Sequence, residues 1–312
     1  MTRGLAAGLL LALAAGAAAG AGDIAFVTAQ NAGVVAIVEL DTGRVRATIP
    51  VKGAPAPVAY DPASGRAAVI AAETGEMTVL DGQGAVRGKV PLGEGSFGLA
   101  IAPGGDLVVA DWYGARLRRL DPDGRQERWS VPTGRAPAGV ALSGDGRIVA
   151  VAERDDDRVS GFDADSGRLL WTAATGTHPY AVAFHEGRFW TTDVQSRSVT
   201  VLEAATGARV GRVTTGDHPY GVAFAAGKGF VTDQYAATVT VFDPDTLETL
   251  GRIEIGDYPE GIAALSDGRR LAVASWDSNE LSIIDGEAQA IARVIPVPDG
   301  PRSFGLFVGP DR

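Results

Sequence analysis

Two of the three histidines in the chain, His178 and His218, stand in the same phrase, His-Pro-Tyr, and each is followed fifteen residues later by an aspartate, Asp193 and Asp233. Imidazole nitrogen and carboxylate oxygen suit zinc or copper, so these four residues form a candidate metal set. A second account competes with it. Sequence repetition alone would place two such phrases side by side, and an aspartate kept at one position of a repeat commonly accepts hydrogen bonds from loop backbone. Around the same phrases lie Tyr180, Tyr220, Tyr258, Glu260, Trp276 and Arg302, with Phe97 at the matching place elsewhere. Aromatic side chains with a few convergent polar groups suit the binding of a small ligand or a partner. Trp112, Glu153, Gln195, Tyr235 and Asp277 fall in a second set of loops expected on the same face. Catalytic signatures are missing. The chain has no Gly-x-Ser-x-Gly elbow, no His-Glu-x-x-His pair, no Gly-x-x-x-x-Gly-Lys cradle and no cysteine.

These residues recur because the chain repeats. The phrase Gly216-Asp217-His218-Pro219-Tyr220-Gly221-Val222-Ala223-Phe224 returns with starts at Lys52, Gly93, Gly134, Gly176, Gly216, Gly256 and Pro298. A period near forty residues marks a unit that buries its apolar faces only by stacking on copies of itself. In the unit that begins at Gly216, period-2 alternation and turn residues predict four strands: Tyr220 to Phe224, Gly229 to Thr232, Thr238 to Phe242 and Leu250 to Ile255. Each unit is then a four-stranded antiparallel blade, and the fold class is an all-β propeller. Within the first strand, the position of Ala223 is always small (Ala59, Ala100, Ala141, Ala183, Ala263, Gly305). The preceding position is always large (Val58, Leu99, Val140, Val182, Ile262, Phe304). Bulky and recessed faces of neighbouring blades should interlock there.

Six complete units leave two remnants. Residues 298–309 supply only a first strand, and residues 24–51 only the other three. Joined, they make a seventh blade that closes the ring without a disulfide. Residues 22–312 are therefore expected to form one domain. Residues 1–21 combine Arg3, an apolar run from Leu5 to Ala15 and small residues at a cleavage site, which predicts a secretory signal peptide and a periplasmic protein. No later stretch is long and apolar enough to span a membrane. Net charge is −10 and no Lys/Arg run exceeds two, so nucleic acid is not an expected partner.

Phe230-Val231-Thr232-Asp233 leading into Val239-Thr240-Val241-Phe242-Asp243, together with Gly-x-x-Pro before each first strand, resembles the YVTN-type β-propeller repeat of exported bacterial proteins. The likeness covers the mature chain and is weakest at Pro57 and Ser96. It implies a propeller like those beside quinoprotein oxidation systems, but no particular activity. Ala164-Asp165-Ser166-Gly167 ahead of Trp171, and more faintly Asp123-Gly124-Arg125 ahead of Trp129, resemble the tryptophan-docking motif of quinoprotein dehydrogenases. Here the two tryptophans are expected simply to cover outer blade interfaces. Lactonase propellers, which use carboxylates and an asparagine, are the catalytic alternative; of the two asparagines, Asn31 and Asn279, the latter with Asp277 and Glu280 offers conceivable ligands.

The expectation is a non-catalytic, monomeric binding scaffold without a cofactor. Its loop-rich face would meet a protein or small molecule beside a periplasmic redox pathway, through His178, Tyr180, Asp193, His218, Tyr220, Asp233, Tyr258, Glu260, Trp276 and Arg302. A metal-dependent lactonase-like hydrolase and a zinc or copper carrier are the alternatives.

Overall fold

A computed structural model describes residues 22–311; the signal-peptide reading of residues 1–21 lies outside the described residues. The described residues form 28 strands, β1 to β28 in chain order, in seven four-stranded antiparallel sheets. This is a seven-bladed propeller. Among the described residues the sole helix is a 3-10 turn at Arg154–Asp156. The unit at Gly216 has its strands at Pro219–Ala225, Lys228–Asp233, Thr238–Phe242 and Thr249–Glu254, within two residues of the predicted bounds.

The seventh blade is the composite expected. β1 (Asp23–Ala29), β2 (Val34–Glu39) and β3 (Arg44–Pro50) come from the head of the described chain, and β28 (Val308–Pro310) from its tail. β28 runs antiparallel to β1, with Ile24 opposite Gly309. The tail is not one continuous strand, however. It meets β1 again where the Arg302 N–H donates to the Thr28 carbonyl at 2.8 Å. Between these contacts it turns to the inner strand of the next blade, β4 (Pro55–Asp61). There the Val58 and Tyr60 N–H groups donate to the Phe304 and Leu306 carbonyls at 2.9 and 2.7 Å. Gly305, at φ +119°, makes this possible: a Cβ there would stand 2.3 Å from the Val58 carbonyl oxygen. The tail thus stitches two blades at once. Asp311 adds an ion pair with Arg46.

Packing between blades follows the large and small positions read from the repeat. Leu99 shares a buried cluster with Ala59, and Val222 packs with Ala183. Ile262 likewise packs with Ala223. Farther out, Trp171 and Trp129 reach onto the following blade, where each indole N–H donates at 3.0 Å to a backbone carbonyl, of Ala204 and Ala164 respectively. The rings lie flush on Gly207 and Gly167; a Cβ on Gly207 would sit 2.5 Å from the Trp171 ring. The docking geometry is therefore directional as well as apolar.

Candidate functional site

In each of the six complete blades the inner strand slips register once. Pro219 faces Asp233 and Val222 faces Val231, so Tyr220 and Gly221 together oppose Thr232. Such a bulge re-aims a side chain. The re-aimed residues are Ala56, Phe97, Ala138, Tyr180, Tyr220 and Glu260. Arg302 takes the equivalent place in the composite blade, next to the bridge between Ala29 and Pro301. They meet on the axis, since residues from non-adjacent blades touch. The Phe97 and Tyr180 ring centroids are 6.1 Å apart, those of Tyr180 and Tyr220 are 4.6 Å apart, and Phe304 packs against all three rings.

Threonine secures two of these bulges and the matching place in the composite blade. The Gly221 N–H donates to the Thr232 hydroxyl at 2.8 Å, and that hydroxyl donates to the Glu260 carbonyl of the next blade at 2.8 Å. Thr192 and Thr28 make the same relay to the Tyr220 and Ala56 carbonyls.

The result is a stopper across one end of the channel. Tyr180, Tyr220 and Glu260 are buried within it instead of lining an open mouth, because the ring is crowded with aromatics from four blades. Arg302 lies at its centre. Its Nη2 donates to the Tyr220 hydroxyl at 2.8 Å, its Nη1 to Gln30 Oε1 at 2.9 Å, and its Nε lies 2.8 Å from Glu260 Oε2. Tyr220 in turn donates to the Tyr180 hydroxyl at 3.0 Å, and Gln234 Nε2 to Glu260 Oε1 at 2.6 Å. Burial pushes the Glu260 carboxyl up to about 7 against the pull of Arg302, and raises both phenols.

The aspartates turn away from this ring. Asp233 accepts from the Gly216 N–H at 2.9 Å and from the Thr238 and Thr240 hydroxyls at 2.9 and 2.6 Å. Asp193 accepts from Ser198 and Thr200 at 2.7 and 2.8 Å. Both carboxylates are fully buried, and burial raises them. They tie the second and third strands of their own blades to the loop that enters the first. Glu153 is buried at the same blade position and pairs with Arg158.

The histidines sit elsewhere, at the residue before the inner-strand proline, in left-handed backbone at φ +56° (His178) and +54° (His218). His218 Nδ1 lies 3.0 Å from Asp217, while the His178 N–H donates to Asp157. The structure does not bring His178, His218, Asp193 and Asp233 together. Among the described residues no group of three or more His, Asp or Glu side chains could hold a metal ion. Asn279 Oδ1 accepts from the Gly300 N–H at 2.8 Å.

What the loop face does present is a row of rings across two blades. His218 stacks on Tyr235 at 3.7 Å, Tyr235 meets Tyr258 at 5.6 Å, and Tyr258 meets Trp276 at 6.1 Å. Tyr235 is 56% exposed and Tyr258 40%. Tyr113, on the same loop set, is also exposed, and Trp112 lies under the Arg154 guanidinium. Sequence reasoning named His218, Tyr235, Tyr258 and Trp276 singly but not their stack, which depends on how loops of adjacent blades converge. Gln195 and Asp277 close their loops through backbone bonds to the Thr177 and Asp257 carbonyls.

Fold and site together define a seven-bladed β-propeller with a stoppered axis and an aromatic loop face. A family model described as outer membrane protein assembly factor BamB matches residues 58–189, the stretch that contains both docked tryptophans, so this part of the chain is similar to quinoprotein-like propellers. No curated protein is similar enough in sequence to match.

Among solved structures, a functionally unknown protein from Desulfotomaculum acetoxidans DSM 771 aligns with a TM-score of 0.80 at 15% identity, over 93% of this chain and 100% of that one. Hydrazine synthase of Kuenenia stuttgartiensis aligns at 0.71 and 16% identity, over 80% of this chain and 88% of that one. The dihydro-heme d1 dehydrogenase NirN in complex with DHE aligns at 0.65 and 15% identity, over 89% and 73%. At such identities the likeness concerns the fold. Among the described residues no helix is long and apolar enough to cross a membrane.

Proposed function

We propose that this protein is an exported, non-catalytic scaffold of the YVTN-type repeat class that binds a protein partner through its loop-rich face. The observation that carries the reading is the aromatic row His218, Tyr235, Tyr258 and Trp276, in which Tyr235 and Tyr258 are exposed. Tyrosine and tryptophan at an exposed, pre-stacked surface supply contact area at low cost in side-chain freedom and are the residues most often found at binding hot spots. The match of residues 58–189 to a model named for a protein-assembly factor supports a protein as the partner. The likenesses to hydrazine synthase and to a dihydro-heme d1 dehydrogenase support a propeller that can stand beside redox chemistry.

The test is affinity capture from periplasmic extract with the mature chain and its Tyr235→Ala/Tyr258→Ala variant. Loss of a captured partner at unchanged melting temperature is expected. Equal capture by both proteins would refute the loop face as the binding surface.

A further inference from the structure

Below the stopper the axis of the ring is hollow. A cavity of about 390 Å³ runs between the inner strands, walled by the recessed alanine of each complete blade and by Gly305 of the tail. Phe304 belongs both to the cavity wall and to the stopper, so the well ends there. At the far end, where the inner strands finish, the wall passes through Phe184, His185, Phe224 and Leu306. Leu306 is 68% exposed, so the well opens on the face opposite the aromatic row. The two ends of the ring thus differ in kind: one is plugged and polar at its centre, the other open and apolar.

The lining has little to offer a charged or strongly hydrated guest. Its titratable members are Tyr60, Glu260 and His185. The Tyr60 hydroxyl donates to the Pro310 carbonyl, and Glu260 faces Arg302 and Gln234 in the stopper. His185 stacks flat on Phe224, with centroids 4.0 Å apart and planes 3° apart, and its Nε2 lies 4.0 Å from Glu186. Burial lowers the imidazole's basicity, which keeps it neutral at pH 7.

Apart from Tyr60, Glu260 and His185 the lining side chains are apolar, so a guest that fills the space gains dispersion contacts with them, while the free edges of the inner strands leave backbone groups for water. Its size falls in the range of small-molecule sites. A folded partner's helix or strand does not suit a dead-ended well between converging strands.

We propose that the axial well is a binding site for an uncharged, apolar small molecule, which enters from the face opposite the aromatic row and lies against the ring of small residues. An anionic guest is disfavoured at the mouth by Glu186 and has no cation to meet in the lining.

The experiment uses N-phenyl-1-naphthylamine, a neutral probe whose fluorescence rises in apolar surroundings, titrated against the purified mature chain. Saturable binding of one probe per chain is expected. The anionic analogue 8-anilinonaphthalene-1-sulfonate should bind at least tenfold more weakly. Leu306→Glu, on an exposed side chain at the mouth, should weaken the neutral probe at least tenfold at unchanged melting temperature, and Ala264→Trp should do so by occlusion. Tyr235→Ala, on the opposite face, should leave binding as it was. Absence of saturable one-to-one binding, or wild-type affinity in Leu306→Glu, overturns the site. Should Ala264→Trp fail to fold, Leu306→Glu decides alone. Equal affinity for the two probes overturns the preference for an uncharged guest.

Discussion

Glu260 and Arg302 face each other across the last blade junction, and the burial of Glu260 makes them expensive to separate. With its carboxyl pushed up to about 7, Glu260 keeps a proton in the folded chain that an exposed glutamate gives up near its ordinary 4.5. The folded state therefore holds more protons than the unfolded one between these values, and stability contributed by this group is lost as pH rises from about 4.5 to 7, then stays level. The span corresponds to about 3 kcal/mol. Thermal melts from pH 4.5 to 8 should show this decline, and Glu260→Gln, which keeps a partner for Gln234 without the charge, should flatten it. A variant as steep as the wild type would place the titration elsewhere. Removing only one partner is worse than removing both. Arg302→Leu should cost about 3–5 kcal/mol by denaturant unfolding, and the double variant Arg302→Leu/Glu260→Leu should recover most of it.

At the scale of strands, the relation between sequence and structure divides at the bulge. Strand number, blade order and the large and small packing positions all follow from periodicity, because stacking requires the same pattern in every copy. Periodicity likewise puts Phe97, Tyr180, Tyr220, Glu260 and Arg302 at one matching place in their units. Their inward aim was hidden, because simple alternation puts Tyr220 and Val222 on one face of the sheet, and one extra residue opposite Thr232 breaks that rule. Thr232 itself gave no signal, since threonine is ordinary in strands and four other blades carry Ile70, Ala110, Ala152 or Ala274 at that place. Its hydroxyl serves a buried N–H and a buried carbonyl in adjacent blades. Thr232→Val keeps the shape and strands both groups, so a loss of about 1–3 kcal/mol is expected in chemical unfolding, with little change for the exposed Thr249→Val. The tryptophans were read as plain apolar cover, since nothing local reveals an indole N–H aimed at the Ala204 carbonyl of the following blade. Trp171→Ala should cost about 3–5 kcal/mol, and Trp171→Phe, which lacks the donor, should recover only part of that.

For the whole molecule the decisive element is the tail, because the ring has no covalent lock: the chain contains no cysteine. The tail's contribution can be sized from what it buries. Phe307 and Val308 are buried between the composite blade and its neighbour, and Phe304 in the axial stopper. At about 2 kcal/mol for each large side chain, their loss alone approaches 6 kcal/mol, against a total of about 5–15 kcal/mol for a typical domain. The deletion would also leave the β1 and β4 edges without the hydrogen bonds the tail supplies, and would leave Glu260 buried without Arg302. A chain ending at Val297 should therefore lose its cooperative thermal transition at 37 °C and become sensitive to protease throughout, not only in the first blade, since blades in a ring support one another from both sides. Deleting only Asp311 and Arg312 removes the largely buried, bidentate ion pair to Arg46 and should cost about 1.5–3 kcal/mol, well short of the longer deletion. If the shorter chain instead melted within a few degrees of the intact one, the head and tail would not be what holds the seven blades in a circle.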